Sequence, residues 1–270
     1  CEEGALACGE GCLSFDVSKC GFCGWTEIVA GKNSSCAFEQ QKEAWCWGWN
    51  AYGQLGDGTE EDRAVPGKVH DLTGIVSLSV GSGHACAVRA DGTVWCWGQN
   101  GSGKLGDGTD VNRRVPVRVV GIDDAVSVTA GGAHSCALSE AGEVYCWGYN
   151  AFGRLGDGTT TNRLTPVLTL LSTPATEVEA GGAHTCAVIQ GGALRCWGDN
   201  YRGALGDGTT TDQATPVAVV GMADVETVTA GDYHTCAMKI DGTAWCWGWN
   251  ERGNLGNGTT EDSSVPVQVS

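Results

Sequence analysis

His134-Ser135-Cys136-Ala137-Leu138 and Glu143-Val144-Tyr145-Cys146-Trp147 flank a short turn, and the reading of this stretch decides the fold. Its cysteines recur at a fixed interval of 50 residues and without insertion: Cys36, Cys86, Cys136, Cys186 and Cys236 share one column, Cys46, Cys96, Cys146, Cys196 and Cys246 another. Trp47, Trp97, Trp147, Trp197 and Trp247 fill the next column. A fixed period of this size marks a solenoid, propeller or array. If Cys86 faces Cys96, the loop between them is Ala90-Asp91-Gly92. Three-residue hairpin loops favour glycine at their last, left-handed position. Gly92, Gly142, Gly192 and Gly242 stand there, with Lys42 the exception. The turn chemistry thus supports five hairpin disulfides, because opposed residues on paired strands lie close enough to bond.

Outward from the hairpin, Ala125-Val126-Ser127-Val128-Thr129-Ala130 alternates apolar and polar residues, a strand of period two, and Gly131-Gly132 ends it. Pro116-Val117-Arg118-Val119-Val120 reads as a strand that opens the third copy. Four short strands per copy make a propeller blade. The expected fold is all-β, a five-bladed propeller of four-stranded blades over 25–270, with one disulfide per blade. The first copy begins near Trp25 and lacks an opening Pro-Val strand, while the chain ends on Val265-Pro266-Val267-Gln268-Val269-Ser270. This predicts that the C-terminal strand completes the first blade and closes the ring, which removes exposed sheet edges.

Residues 1–24 match no copy and form a separate Cys-rich tether or cap. Fifteen cysteines is an odd number. Cys8, Cys12, Cys20 and Cys23 suffice for two further disulfides, or for a zinc site as the alternative. Cys1 is left over, and an unpaired Cys at the first position resembles a lipidated, processed bacterial lipoprotein. Paired cysteines call for an oxidising compartment. No stretch approaches the roughly 20 apolar residues of a membrane span, so membrane contact is expected only through a lipid on Cys1. A net charge of −16 argues against nucleic acid as a partner and suits a basic protein.

The pattern x-A-G-x-x-H-x-C-A-V, G-x-V-x-C-W-G-x-N, G-x-L-G-D-G-T and P-V-x-V resembles the regulator of chromosome condensation repeat over about residues 25–270. The resemblance implies a propeller of four-stranded blades, usually seven, and binding of proteins through the propeller faces. The family includes a nuclear guanine nucleotide exchange factor and secreted bacterial protein inhibitors of β-lactamase. No exchange-factor residue carries over to this sequence.

The conserved-looking columns have structural readings. The tryptophans after the second cysteine read as packing between blades. His84, His134, His184 and His234, with Ser34 in the first copy, read as hydrogen-bonding groups, since imidazole offers a donor and an acceptor. Leu-Gly-Asp-Gly-Thr starts at Leu55, Leu105, Leu155 and Leu205, with Asn257 replacing Asp in the last copy. Asp-Gly is a turn signal. One carboxylate per loop falls short of a calcium shell, so no cofactor is expected, with calcium the alternative.

Function is expected where the copies differ. The residues around a fixed asparagine after each Trp-Gly vary, and include Trp49, Tyr52, Tyr149, Phe152, Tyr201, Arg202, Trp249 and Arg252. Trp, Tyr and Arg are enriched in binding hot spots. Equivalent loops gather on one propeller face, and ring closure would bring Trp49 towards Trp249. No acid pair, Ser-His-Asp set or metal-ligand cluster suggests an enzyme. The expected function is a non-enzymatic extracytoplasmic interaction scaffold, either a surface lipoprotein or a subunit of an envelope or appendage assembly. The alternatives are a glycan-binding lectin and a secreted enzyme inhibitor.

Overall fold

The computed structural model describes residues 24–40 and 42–270. The assignments made for Cys1, Cys8, Cys12, Cys20 and Cys23 lie outside the described residues. Each copy folds into one antiparallel four-stranded sheet with its strands in chain order. Blade 1 comprises Trp25–Ala30, Ser34–Glu39, Ala44–Gly48 and Arg63–Lys68. Blade 2 comprises Ile75–Val80, His84–Arg89, Val94–Gly98 and Arg113–Arg118. Blade 3 comprises Ala125–Ala130, His134–Ser139, Val144–Gly148 and Arg163–Leu168. Blade 4 comprises Ala175–Ala180, His184–Ile189, Ala193–Gly198 and Gln213–Ala218. Blade 5 comprises Val225–Ala230, His234–Lys239, Ala244–Gly248 and Ser263–Gln268. The first strands of adjacent blades pack on one another and so lie nearest the axis.

The hairpin register is the expected one. Cys86 faces Cys96, Arg89 and Thr93 close the loop, and Gly92 has φ +78°. Lys42 takes the same left-handed conformation with φ 62°. Disulfides join Cys36 to Cys46, Cys86 to Cys96, Cys136 to Cys146, Cys186 to Cys196 and Cys236 to Cys246.

Two expectations need correction, for one reason. The Pro-Val strand does not open a blade; it closes the preceding one. Val117 pairs with Cys96 and Arg118 with Trp95, because the long loop after Trp97-Gly98 carries the chain back beside the strand it has just left. As the outermost strand it has a free edge, where the proline's missing N–H does no harm. Each copy is therefore complete in itself. Arg63–Lys68 already finishes blade 1, and the C-terminal strand Ser263–Gln268 pairs with Ala244–Gly248 to finish blade 5. The final strand does not complete the first blade.

Joints between neighbouring blades follow one plan. Along the axis, Lys32 N–H donates to Gly81 O, Ser82 to Gly131, Gly132 to Gly181 and Gly182 to Gly231. A side chain on Gly131 would meet the Gly181 carbonyl at 2.4 Å, which explains the small residue at this turn. Farther out, the indole N–H of Trp97, Trp147, Trp197 and Trp247 donates to the carbonyl of Gln54, Lys104, Arg154 and Ala204 in the preceding blade. These four indoles are fully buried, and an apolar cluster fills each joint. No member of this series and no apolar cluster joins blade 5 to blade 1 among the described residues. Blade 1 leaves Trp25 and Ile28 exposed on its free side. Blade 5 leaves Met238 and Ile240 exposed.

A histidine–hydroxyl pair completes three of the joints. His84 Nε2 lies 2.8 Å from Ser135 Oγ, His134 Nε2 2.8 Å from Thr185 Oγ1, and His184 Nε2 2.7 Å from Thr235 Oγ1. Each hydroxyl donates its own proton to the carbonyl of Lys104, Arg154 or Ala204. It must therefore accept from the imidazole, which fixes Nε2 as the protonated nitrogen and leaves Nδ1 bare. Burial holds all three histidines below their ordinary value, with His184 at about 4. At the first joint, Ser34 and Ala85 replace the pair together.

Candidate functional site

The varied loops after Trp-Gly stand on a rigid knot. In blade 3, Asn150 is fully buried. Its Oδ1 accepts from Leu155 N at 3.0 Å, and its Nδ2 donates to Asp157 Oδ1, Thr159 O and Thr161 O at 3.1–3.2 Å. Its backbone N–H donates to Asn162 Oδ1 at 2.8 Å. The same knot forms around Asn50, Asn200 and Asn250, and around Asn100 without the third carbonyl. Asp157 is held in turn by Thr159 and by Arg163 at 2.7 Å, and these bonds keep its carboxyl below the usual carboxylate range despite partial burial. The Leu-Gly-Asp-Gly-Thr carboxylates thus spend their oxygens on the loop itself.

Replacing Asn150 by Ala strands the Leu155 N–H and the Thr159 and Thr161 carbonyls in a closed site. The expected cost is about 3 kcal/mol. For a chain of this size that lowers the melting midpoint by roughly 6–12 °C, as differential scanning calorimetry of the variant would read.

The loops share a face with the turns between the first and second strands, since Trp49, Gln99, Tyr149, Asp199 and Trp249 each bond to such a turn. On this face the structure brings together four of the residues singled out by sequence. Phe152, Tyr201, Arg202 and Trp249 line a cleft of about 1030 Å³ with Asp199, Thr210, Thr211, Asp212, Asp232, Tyr233 and Glu251. Blades 3, 4 and 5 all contribute to it. Tyr201 is 70% exposed and Tyr233 48% exposed. Arg202 lies over the Tyr201 ring at 5.0 Å and is paired with Glu251 and Asp262, each at 3.0 Å.

The remaining candidates sit elsewhere. Trp49 and Tyr52 form an edge-to-face pair at 5.2 Å in blade 1. They do not line the cleft, so the expected approach of Trp49 to Trp249 is absent from it. Tyr149 covers the buried guanidinium of Arg154 at 4.9 Å, with Phe152 at 5.5 Å. Arg252 is exposed at the open end of blade 5.

Sequence reasoning missed Asp232 and Tyr233. Their turn reads Gly81-Ser82-Gly83, Gly131-Gly132-Ala133 and Gly181-Gly182-Ala183 in the inner copies, but Gly231-Asp232-Tyr233 in the last. The change from small residues to an acid and an aromatic was the available signal.

The fold has many solved relatives. Human WBSCR16 aligns with a TM-score of 0.82 at 22% identity, covering 91% of this chain and 67% of that one. Yeast RCC1 (Prp20), solved bound to Kap60, aligns with a TM-score of 0.81 at 22% identity, covering 90% of this chain and 60% of that one. The ectodomain of the Physcomitrella patens receptor kinase CR4 aligns at 0.57 and 25% identity, covering 85% of this chain and 53% of that one. These likenesses concern the fold, and this chain spans only part of each relative's length. No curated protein sequence matches the chain. The regulator of chromosome condensation (RCC1) repeat matches residues 43–88, 91–138, 141–188, 192–238 and 241–270. The first four matches each run from the last two strands of one blade into the first two of the next, the fifth covers the last two strands of blade 5, and the chain belongs to the RCC1 repeat family.

Proposed function

We propose that this protein is a non-enzymatic, extracytoplasmic scaffold that binds a protein partner through the loop face of blades 3 to 5. The observation that carries this reading is the convergence of Phe152, Tyr201, Tyr233 and Trp249 on one cleft. The core tryptophans and histidines are spent on the joints between blades; these four aromatics are not. Exposed aromatics gathered in a concavity mark interaction sites. Five disulfides point to an oxidising setting outside the cytosol. No described helix is long and apolar enough to cross a membrane.

Relatives of the fold support a protein partner: yeast RCC1 is solved with Kap60, and Prp20p is described by its binding to Gsp1p and histones. Receptor-kinase ectodomains supply an extracellular precedent.

The test is cross-linking mass spectrometry with the full chain as bait on native envelope, comparing wild type with Tyr201→Ala/Trp249→Ala. Capture of a stoichiometric protein partner is expected to fall at least tenfold, while the melting midpoint moves by only a few degrees, as for partly exposed side chains. Undiminished capture by the double variant would refute the assignment of the face. Retention on surface glycan without a protein partner would favour a lectin.

A further inference from the structure

We propose that the cleft between blades 4 and 5 receives a cationic side chain, lysine or arginine, from the partner protein. The inference rests on the reading of this face as a protein-binding surface and names the chemistry the surface selects.

Its walls are aromatic: Phe152 and Tyr201 on one side, Tyr233 and Trp249 on the other blade. An aromatic ring presents a negative face, which attracts a cation within about 6 Å of its centre. The face already uses this interaction within the chain. Arg154 lies over Tyr149 and Phe152, and Arg202 over Tyr201. The Tyr233 and Trp249 rings hold no cation of the chain among the described residues.

Charge points the same way. Asp199, Asp212, Asp232 and Glu251 line the cleft, against the single guanidinium of Arg202. Arg202 is already held by Glu251 and Asp262. Asp199 is offset from below by the buried Arg154. Asp212 spends Oδ1 on the Asn200 backbone N–H. Neither Asp212 nor Asp232 has a Lys, Arg or His ion pair among the described residues. A cation standing against Tyr233 therefore meets unpaired carboxylates. A neutral sugar could stack on the rings, yet it would leave those charges uncompensated. An anion is repelled both locally and by the net charge of −16.

Isothermal titration of the full chain with acetylated tetra-arginine and tetra-lysine peptides tests this, with a tetra-glutamate peptide and methyl glucoside as controls. The cationic peptides are expected to bind, and the controls are not. Asp232→Asn/Tyr233→Ala should weaken cation binding at least tenfold. Asp232→Asn alone, which keeps shape and fold, should weaken it several-fold. Raising salt should weaken binding further, as for exposed charges. Equal binding by wild type and both variants would reduce the effect to the acidic surface at large and overturn the proposal. Binding of methyl glucoside lost with Tyr233 would overturn it in favour of sugar. A cross-linked partner on this face whose capture ignores Asp232→Asn would sink the cationic chemistry but leave the protein-binding reading standing. Absence of both partner and peptide binding removes both.

Discussion

Reduction of the five hairpin disulfides is expected to unfold the whole array. Each bond closes a short loop, its cysteines being 10 residues apart. In the chain-entropy account such a loop contributes about 2–3 kcal/mol. Five together reach roughly 10–15 kcal/mol, as much as the entire net stability of an ordinary domain. The inner cysteines, such as Cys86, Cys96, Cys136 and Cys146, have no exposed surface, so a reductant reaches them only through opening. In native buffer the array should resist a phosphine reductant. In mild guanidinium the same reductant should abolish the near-ultraviolet tryptophan signal, with ten thiols released from the described pairs. A reduced protein that still melts cooperatively near the oxidised midpoint would show that the joints between blades suffice alone.

Acidification is the second large lever. His84, His134 and His184 are neutral and buried, with folded values pushed below 6.5 by desolvation. The unfolded chain binds more protons in this range, so their contribution is complete above pH 6.5 and drains away as pH falls towards 4. Protonation would also place a proton on the His84 and His134 Nδ1 atoms, which have no partner. Glu179 works in the opposite sense. Burial raises its carboxyl to about 7, so its contribution is complete below 4.5 and is lost as pH rises through 7. His234 is lowered in the same sense as these three, and Glu27 and Glu177 are raised in the same sense as Glu179. The histidine shifts at His84 and His134 are large, so stability should fall as pH drops from 6.5 towards 4.5. Denaturant unfolding at half-unit pH steps reads this directly. Glu179→Gln should steepen the slope. A flat profile from pH 6.5 to 4.5 would mean that the joints admit water.

The fold was legible because its signals repeat. The cysteine columns fixed the hairpin register, and glycine at 92, 142, 192 and 242 confirmed the turn independently. The phase of the repeat was not legible. A Pro-Val strand suits the first or the last place in a blade equally well by local propensity. Only the fold-back of the loop between Gly98 and Arg113 decides between them. The site was half legible for a related reason. Phe152, Tyr201, Arg202 and Trp249 vary in loops that any alignment of the copies exposes. Asp232 and Tyr233 reach the cleft from a different turn, and the acids Asp199, Asp212 and Glu251 read as ordinary surface charge until three blades are brought together.

The paired replacement of histidine and hydroxyl at the first joint has a mechanical meaning. A row of units coupled only to nearest neighbours loses order unit by unit, and its weakest coupling sets where the loss begins. Between blades 1 and 2 the imidazole and its hydroxyl are both missing, as Ser34 and Ala85, and among the described residues blade 1 shares an apolar cluster with blade 2 alone. The row is therefore graded, loosest at the end where residues 1–23 adjoin it. The cleft lies at the other end, on blades locked together by His134 with Thr185 and His184 with Thr235. Strain arriving through the N-terminal segment would be absorbed at the first joint, one joint short of the blades that line the cleft.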